Sequence, residues 1–179
     1  MAEAFSNSQT RAVGIVTTSS GCEIGITTNK ITGVTTTSIS VGDLVDNLNY
    51  IAGTKVTSVG ITSVIVDRDS TNAPAATLQT VKFLGLTTAY TSPNGVKSIL
   101  IGGTFANNTN QQVNLSVEVY DNSAGTTAAL ASKVPVPNGS SFVISDAGKT
   151  VLESQDGVRV FCDSAGAIDV NLSVLTGVS

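Results

Sequence analysis

Apolar and polar side chains alternate with period two over much of this chain. Val113, Leu115, Val117 and Val119 alternate with Asn114, Ser116, Glu118 and Tyr120, which is the pattern of a strand with one buried and one wet face. Ile168, Val170, Leu172 and Val174 repeat it near the C-terminus. Lys97, Ile99, Ile101, Gly103 and Phe105 carry it across Gly102-Gly103, a pair that marks a bulge or a close backbone approach. Turn sequences punctuate these runs: Pro93-Asn94-Gly95, Asp121-Asn122-Ser123, Pro137-Asn138-Gly139, Gln155-Asp156-Gly157 and Ala165-Gly166. No stretch sustains a 3.6-residue apolar period between helix caps, so helix should be minor. The expectation is an all-β chain, with a β-sandwich or jelly roll of seven or eight strands over residues 84–179.

The first 80 or so residues have another texture. A degenerate repeat of small-residue strands runs through Val13-Gly-Ile-Val-Thr-Thr, Ile24-Gly-Ile-Thr-Thr, Ile31-Thr-Gly-Val-Thr-Thr and Ser58-Val-Gly-Ile-Thr-Ser. Thr, Val and Ile suit a pleated, half-buried surface, and the glycines mark twists or bulges. The reading is a small β-barrel-like module or short-stranded sheet over residues 12–70. Residues 71–83 begin with small and polar side chains and read as a linker; residues 1–11 read as an extended N-terminal arm.

Composition changes the picture by showing what surrounds these strands. Only 12% of the 179 residues are charged while 41% are apolar, the reverse of a disordered chain. Mean hydropathy is +0.26. Sparse charge on a folding chain suggests that much of its surface never meets bulk water, the plainer alternative being a Thr/Ser-rich but monomeric β protein. The net charge of −4 is mild and the nine basic residues are scattered singly, so no stripe exists to neutralise phosphates and no nucleic acid is expected as a partner. No apolar run reaches a membrane span, and the N-terminus lacks the n-region and h-region of a secretory signal, so no membrane is expected and synthesis in the cytoplasm is. Cys22 and Cys162 are then expected as two buried thiols.

Candidate chemistry is thin. The chain has no His, which removes Ser-His-Asp and Cys-His arrangements and His-ligated zinc, and two Cys cannot make a Cys₄ site. Gly148-Lys149-Thr150 resembles the tail of a phosphate-binding loop, but Val143 stands where that motif needs Gly, and Val151-Leu152-Glu153 reads as strand rather than helix. Asp67 with Asp69, or Asp43 with Asp46, could hold a hard cation; the plainer reading leaves Asp67 and Asp69 solvated at a strand end with Arg68 facing away. Sugar stacking needs aromatics; Tyr90 and Tyr120 are the candidates, and both read more plainly as strand or interface residues. Four N-x-S/T sequons, at Asn107, Asn114, Asn138 and Asn171, reflect the abundance of Asn, Ser and Thr. The expectation is no catalytic residue, no metal site, no cofactor, and a protein that is not an enzyme.

The segment from Ser40-Val-Gly-Asp-Leu-Val through Ile51-Ala-Gly-Thr-Lys-Val to Thr62-Ser-Val-Ile-Val-Asp resembles a module recurrent in tailed-phage virion proteins. The second half resembles another pattern, that of virion proteins of T4-like marine phages such as those infecting cyanobacteria. Its parts are Thr88–Gly102, Val113–Tyr120, Lys133-Val-Pro-Val-Pro-Asn-Gly-Ser, Asp156-Gly-Val-Arg-Val and Ala167–Leu175. The resemblance implies a virion structural protein of the head-decoration, neck or fibre type, made in the host cytoplasm. It implies a homo-oligomer, a trimer being one symmetric option, that binds capsid, neck or tail proteins. It transfers no catalytic residue. The alternative is a carbohydrate-binding or adhesin-like module using the loops at one end of the C-terminal sandwich.

Overall fold

The computed structural model describes residues 3–72, 75–145 and 149–178. It is all-β: fifteen strands in antiparallel sheets, with no helix among the described residues. The chain divides into two units, one made of residues 1–14 with 87–179 and the other of residues 15–86.

The larger unit holds two sheets. One runs β1 (Ala4–Val13), β15 (Ile168–Val178), β9 (Lys97–Asn107), β12 (Ser141–Ile144), with β13 (Thr150–Leu152) also pairing with β9. The other runs β11 (Thr126–Val136), β10 (Val113–Asp121), β14 (Gly157–Cys162), β8 (Thr87–Thr91). The period-two residues of β10 and β15 meet inside, but the β9 run changes phase at a bulge beside Gly102. Phe105 faces the core, while ahead of it Leu100 takes the inward place and Ile99 and Ile101 lie outside the core. Leu100 and Phe105 of β9, Leu115 and Val117 of β10, Val158 and Val160 of β14, and Leu172 and Val174 of β15 form one core shared by both sheets. Strand neighbours such as β1 and β15 lie at opposite ends of the sequence, so the layering depends on contacts that no local pattern announces.

The smaller unit is one sheet in the order β4 (Leu44–Asp46), β7 (Ala76–Gly85), β2 (Ile15–Ile24), β3 (Lys30–Thr32), β6 (Ser63–Val66), β5 (Val56–Val59). Its core gathers Cys22, Ile24, Ile31, Val56, Val64, Val66, Val81 and Phe83. The two outermost strands also meet. Leu44 bridges Lys55, Val45 N–H donates to Thr54 O at 2.8 Å, and Val56 N–H donates to Asp43 O at 2.9 Å.

Two sequence expectations about organisation give way here. Residues 4–13 are not a free arm but a ten-residue strand, registered against β15 from Ala4–Thr176 to Thr10–Val170. From Ser6 to Arg11 its side chains are all polar, so the backbone ladder holds it, with only Val13 reaching the core. Nor do the described residues of 71–83 behave as a linker. Thr71 N–H donates to Asn49 O, and most of the segment is β7, held between β2 and β4 with Val81 and Phe83 fully buried.

The small-residue repeat is also only partly strand. Gly25–Thr28 and Gly60–Thr62 lie outside the strands; Gly60 N–H donates to Ser63 O at 2.8 Å, closing the β5–β6 hairpin. The isoleucine after each glycine is thereby put at a tip rather than in the core. Ile61 is 94% exposed, and Ile26 is exposed as well.

Candidate interaction surface

Most polar groups that the sequence singles out are engaged in holding strands together. Asp67 Oδ1 accepts the Lys55 N–H at 2.8 Å, and its Oδ2 lies 3.8 Å from Arg68 Nε. Arg68 therefore turns toward Asp67 rather than away, and its Nη1 also donates to Ala52 O at 3.3 Å. Asp69 acts at a distance: burial, with the negative charge of Asp69 second, pushes the Tyr50 hydroxyl up to about 12. Asp43 is buried and accepts the Ser40 N–H at 2.8 Å, closing the turn that precedes β4. Its carboxyl is raised above the ordinary range because burial outweighs the backbone donors of Ser40 and Leu86. Among the described residues no group of three or more Cys, Asp or Glu clusters as a metal site would require.

The acids of the larger unit are clamps of the same kind. Asp156 is buried, with Oδ1 accepting the Asn122 N–H and Oδ2 the Glu153 N–H, both at 2.9 Å. Asp163 takes both the backbone N–H and the Nδ2 of Asn114 at 2.8 Å. Asp169 accepts the Ala12 N–H at 2.9 Å and lies 3.6 Å from Arg11, which together tie β1 to β15. That backbone donor is the largest cause of its carboxyl lying below the ordinary range, with Asn108 and Arg11 adding to it. Asp121 is lowered too, first by the Ala124 N–H of its turn and next by the Ser123 hydroxyl.

The remaining candidates have structural positions. Tyr90 Oη sits 2.9 Å from Ser98 Oγ, which sits 2.9 Å from Ser92 Oγ, so the ring is anchored by a hydroxyl chain. Arg159 stacks on Tyr120 with its guanidinium carbon 3.5 Å from the ring centroid. Thr150 opens β13 opposite Leu100, while Gly148 of the loop-like Gly148-Lys149-Thr150 lies outside the described residues. Sequon residues Asn114 and Asn171 lie within strands, and Asn107 is buried. Cys22 and Cys162 are free thiols, both buried.

What the sequence missed is a surface. On the outward side of the β1-β15-β9 sheet, cross-strand partners form rows: Phe5 faces Leu175, Leu175 faces Ile99, and Ile99 faces Val151 of β13. Phe5 is 77% exposed and Val151 56%. This is an apolar row crossing four strands, each residue a cross-strand neighbour of the next. Toward the other end of the sheet the rows are mixed: Gln9 faces Asn171, Asn171 faces Thr104 and Thr104 faces the exposed Val143, while Arg11 lies against Asp169. The signal was available in principle: Ile99 and Leu175 are the outward members of runs whose inward members are also apolar. Phe5 could be placed beside them only once β1 was known to pair with β15.

The fold and this surface define an all-β protein of two sheet units whose polar side chains mostly tie strands and turns together. No protein-family model matches the chain, and no curated protein matches it. Among solved structures it is similar to Arthrobacter globiformis T6 isomalto-dextranase complexed with panose, at 12% identity and a TM-score of 0.24. That match covers 97% of this chain and 34% of the other, so the chain spans about a third of that protein's length. A likeness at that score carries no argument about fold or activity.

Proposed function

We propose that this chain is a non-enzymatic structural protein of a tailed-phage virion, assembled in the host cytoplasm, that associates with copies of itself and with capsid, neck or tail proteins. The observation that carries the reading is the apolar row Phe5–Leu175–Ile99–Val151 on the outer face of a sheet. A solitary soluble domain gains nothing from a contiguous apolar row on a face it keeps wet, whereas an assembly protein buries it. Sparse charge and the tip residues Leu48 and Ile61, both more than nine-tenths exposed, point the same way.

The form of the two units adds support. Counting β12 and β13 as one interrupted strand, we read the strand order of the larger unit as a jelly roll, the two-sheet, eight-stranded form used by viral capsid and lectin domains. We read the smaller unit as a small barrel with its seam at the β4–β5 contacts.

The lectin side of that form raises the carbohydrate-binding alternative, but its aromatic candidates are spoken for. The Tyr90 hydroxyl bonds Ser98, and one face of Tyr120 carries Arg159. Sedimentation equilibrium over a wide concentration range tests association. The wild-type chain forms a defined oligomer or co-sediments with particle proteins, and the double variant Phe5→Ser, Val151→Ser weakens that association. A wild-type chain that stays monomeric at every concentration and never joins particle proteins overturns the proposal.

A further inference from the structure

The chain contains the same turn twice, and the two copies differ in one feature that bears on covalent stability. Pro93-Asn94-Gly95-Val96 and Pro137-Asn138-Gly139-Ser140 each close with the N–H of the fourth residue donating to the proline carbonyl, at 3.1 and 3.2 Å. Each glycine takes a left-handed φ, +69° at Gly95 and +64° at Gly139. Both Asn-Gly pairs are exposed. In the first turn Gly95 N–H donates to Ser154 Oγ at 2.7 Å, and the same hydroxyl reaches Asn94 Oδ1 at 3.4 Å. In the second turn, among the described residues, neither the Gly139 N–H nor the Asn138 side chain has a hydrogen-bond partner. An alanine-like Cβ would meet nothing within 4 Å at Gly95 or at Gly139, so both peptides are unhindered on that side and the Ser154 hydroxyl is what sets the turns apart.

We propose that Asn138 is a site of spontaneous deamidation in the folded protein and that Ser154 protects Asn94 from the same reaction. The Gly139 backbone nitrogen, losing its proton to water or hydroxide, attacks Asn138 Cγ. The N–Cγ bond forms, the Cγ–Nδ2 bond breaks, and the side-chain nitrogen leaves as ammonia. Water then opens the cyclic imide at either carbonyl to give Asp or isoAsp. Nothing is oxidised or reduced, and water is the only co-reactant. At Gly95 the nucleophile's proton is engaged by Ser154 Oγ and the asparagine carbonyl is held by the same hydroxyl, so both reacting groups are restrained. Each event at Asn138 adds one negative charge to the tip joining β11 to β12, on a chain whose net charge is only −4.

Ageing the folded protein at mildly alkaline pH, followed by peptide mapping that separates Asn, Asp and isoAsp by mass and retention, measures both rates. We expect Asn138 to convert about tenfold faster than Asn94, the equivalent of about 1.4 kcal/mol in barrier. Ser154→Ala should bring Asn94 up toward the rate of Asn138, and Asn138→Gln should abolish the acidic species that appears first on isoelectric focusing. In the urea-unfolded chain the two sites, sharing the triplet Pro-Asn-Gly, should convert at nearly equal rates. Equal rates in the folded protein, a faster Asn94, no conversion at Asn138, or a difference that survives unfolding would each overturn the proposal.

Discussion

Replacing Asn107 by Asp puts the central polar tie of the larger unit under the smallest possible change. Asn107 is buried at the end of β9, and its Nδ2 donates to Gln111 O at 2.7 Å, Val136 O at 2.9 Å and Pro137 O at 3.1 Å. Its Oδ1 accepts the Thr109 N–H at 2.9 Å and the Thr109 hydroxyl at 2.8 Å. Aspartate keeps the second set and turns the first into an oxygen facing three carbonyl oxygens. A buried acceptor left without its donor costs about 1–3 kcal/mol, so losing Nδ2 and gaining a charge there should cost about 4 kcal/mol at neutral pH. For a unit of this size that is a fall in Tm of about 15 °C.

The pH dependence follows from the same geometry. Carbonyl oxygens raise the folded-state pKa of the new carboxyl above its unfolded value of about 3.9. The penalty therefore grows as pH rises from the unfolded value through the folded one. Below the unfolded value both states are protonated, and only the smaller cost of a neutral acid remains. Asn107→Ala, which loses the bonds without adding charge, should cost about 3 kcal/mol with little pH dependence. Urea titrations followed by far-UV circular dichroism at pH 3 and pH 7 measure both variants. An Asn107→Asp variant that stays within about 1 kcal/mol of wild type at pH 7, or shows the same deficit at both pH values, would refute this role for Asn107.

Other perturbations have equally definite outcomes. Gly14→Ala should destabilise the larger unit by about 2–4 kcal/mol in the same titration, because Gly14 has φ +130° and an added Cβ would lie 2.1 Å from Ser164 O. Tyr90→Phe removes the hydroxyl that bonds Ser98 and should cost about 1 kcal/mol; a loss several times larger would mean the ring had been misplaced. Asp169, held low by the Ala12 N–H, contributes stability that is present above the ordinary carboxylate value of about 3.9 and lost as pH falls through its lower folded value. The gap between wild type and Asp169→Asn should accordingly close on acidification, and a gap that widens would contradict the assignment. A thiol reagent should label neither Cys22 nor Cys162 until denaturant unfolds the chain, since both are buried and free.

The sequence announces its structure where burial is one-sided and local. The runs of β10 and β15 are legible because alternate residues enter one core, and the turns at Pro93-Asn94-Gly95 and Pro137-Asn138-Gly139 carry their own chemistry. β9 is legible as a strand, but the bulge beside Gly102 shifts its phase, so Leu100 rather than Ile99 and Ile101 enters the core. β1 is illegible for the opposite reason: from Ser6 to Thr10 it offers only polar side chains, and its stability lies in a ladder with residues some 160 positions away. β7 hides behind Ala75, Ala76 and Thr77, although Val81 and Phe83 at its far end already show the two-residue period. Ile26 and Ile61 mislead, because their apolar character reads as core while the preceding glycines put them at tips. The absence of His was plain from the start, but the outer apolar row was not. Its four members come from four strands whose adjacency is a fact of topology.

The most direct measurement is quantitative mass spectrometry of purified phage particles from cells that produce this chain. The account predicts the chain in the particles at a fixed whole-number ratio to the major capsid protein, retained through gradient purification and high salt. Finding it only in the lysate supernatant, or in particles at a trace level that falls with each purification step, would contradict it.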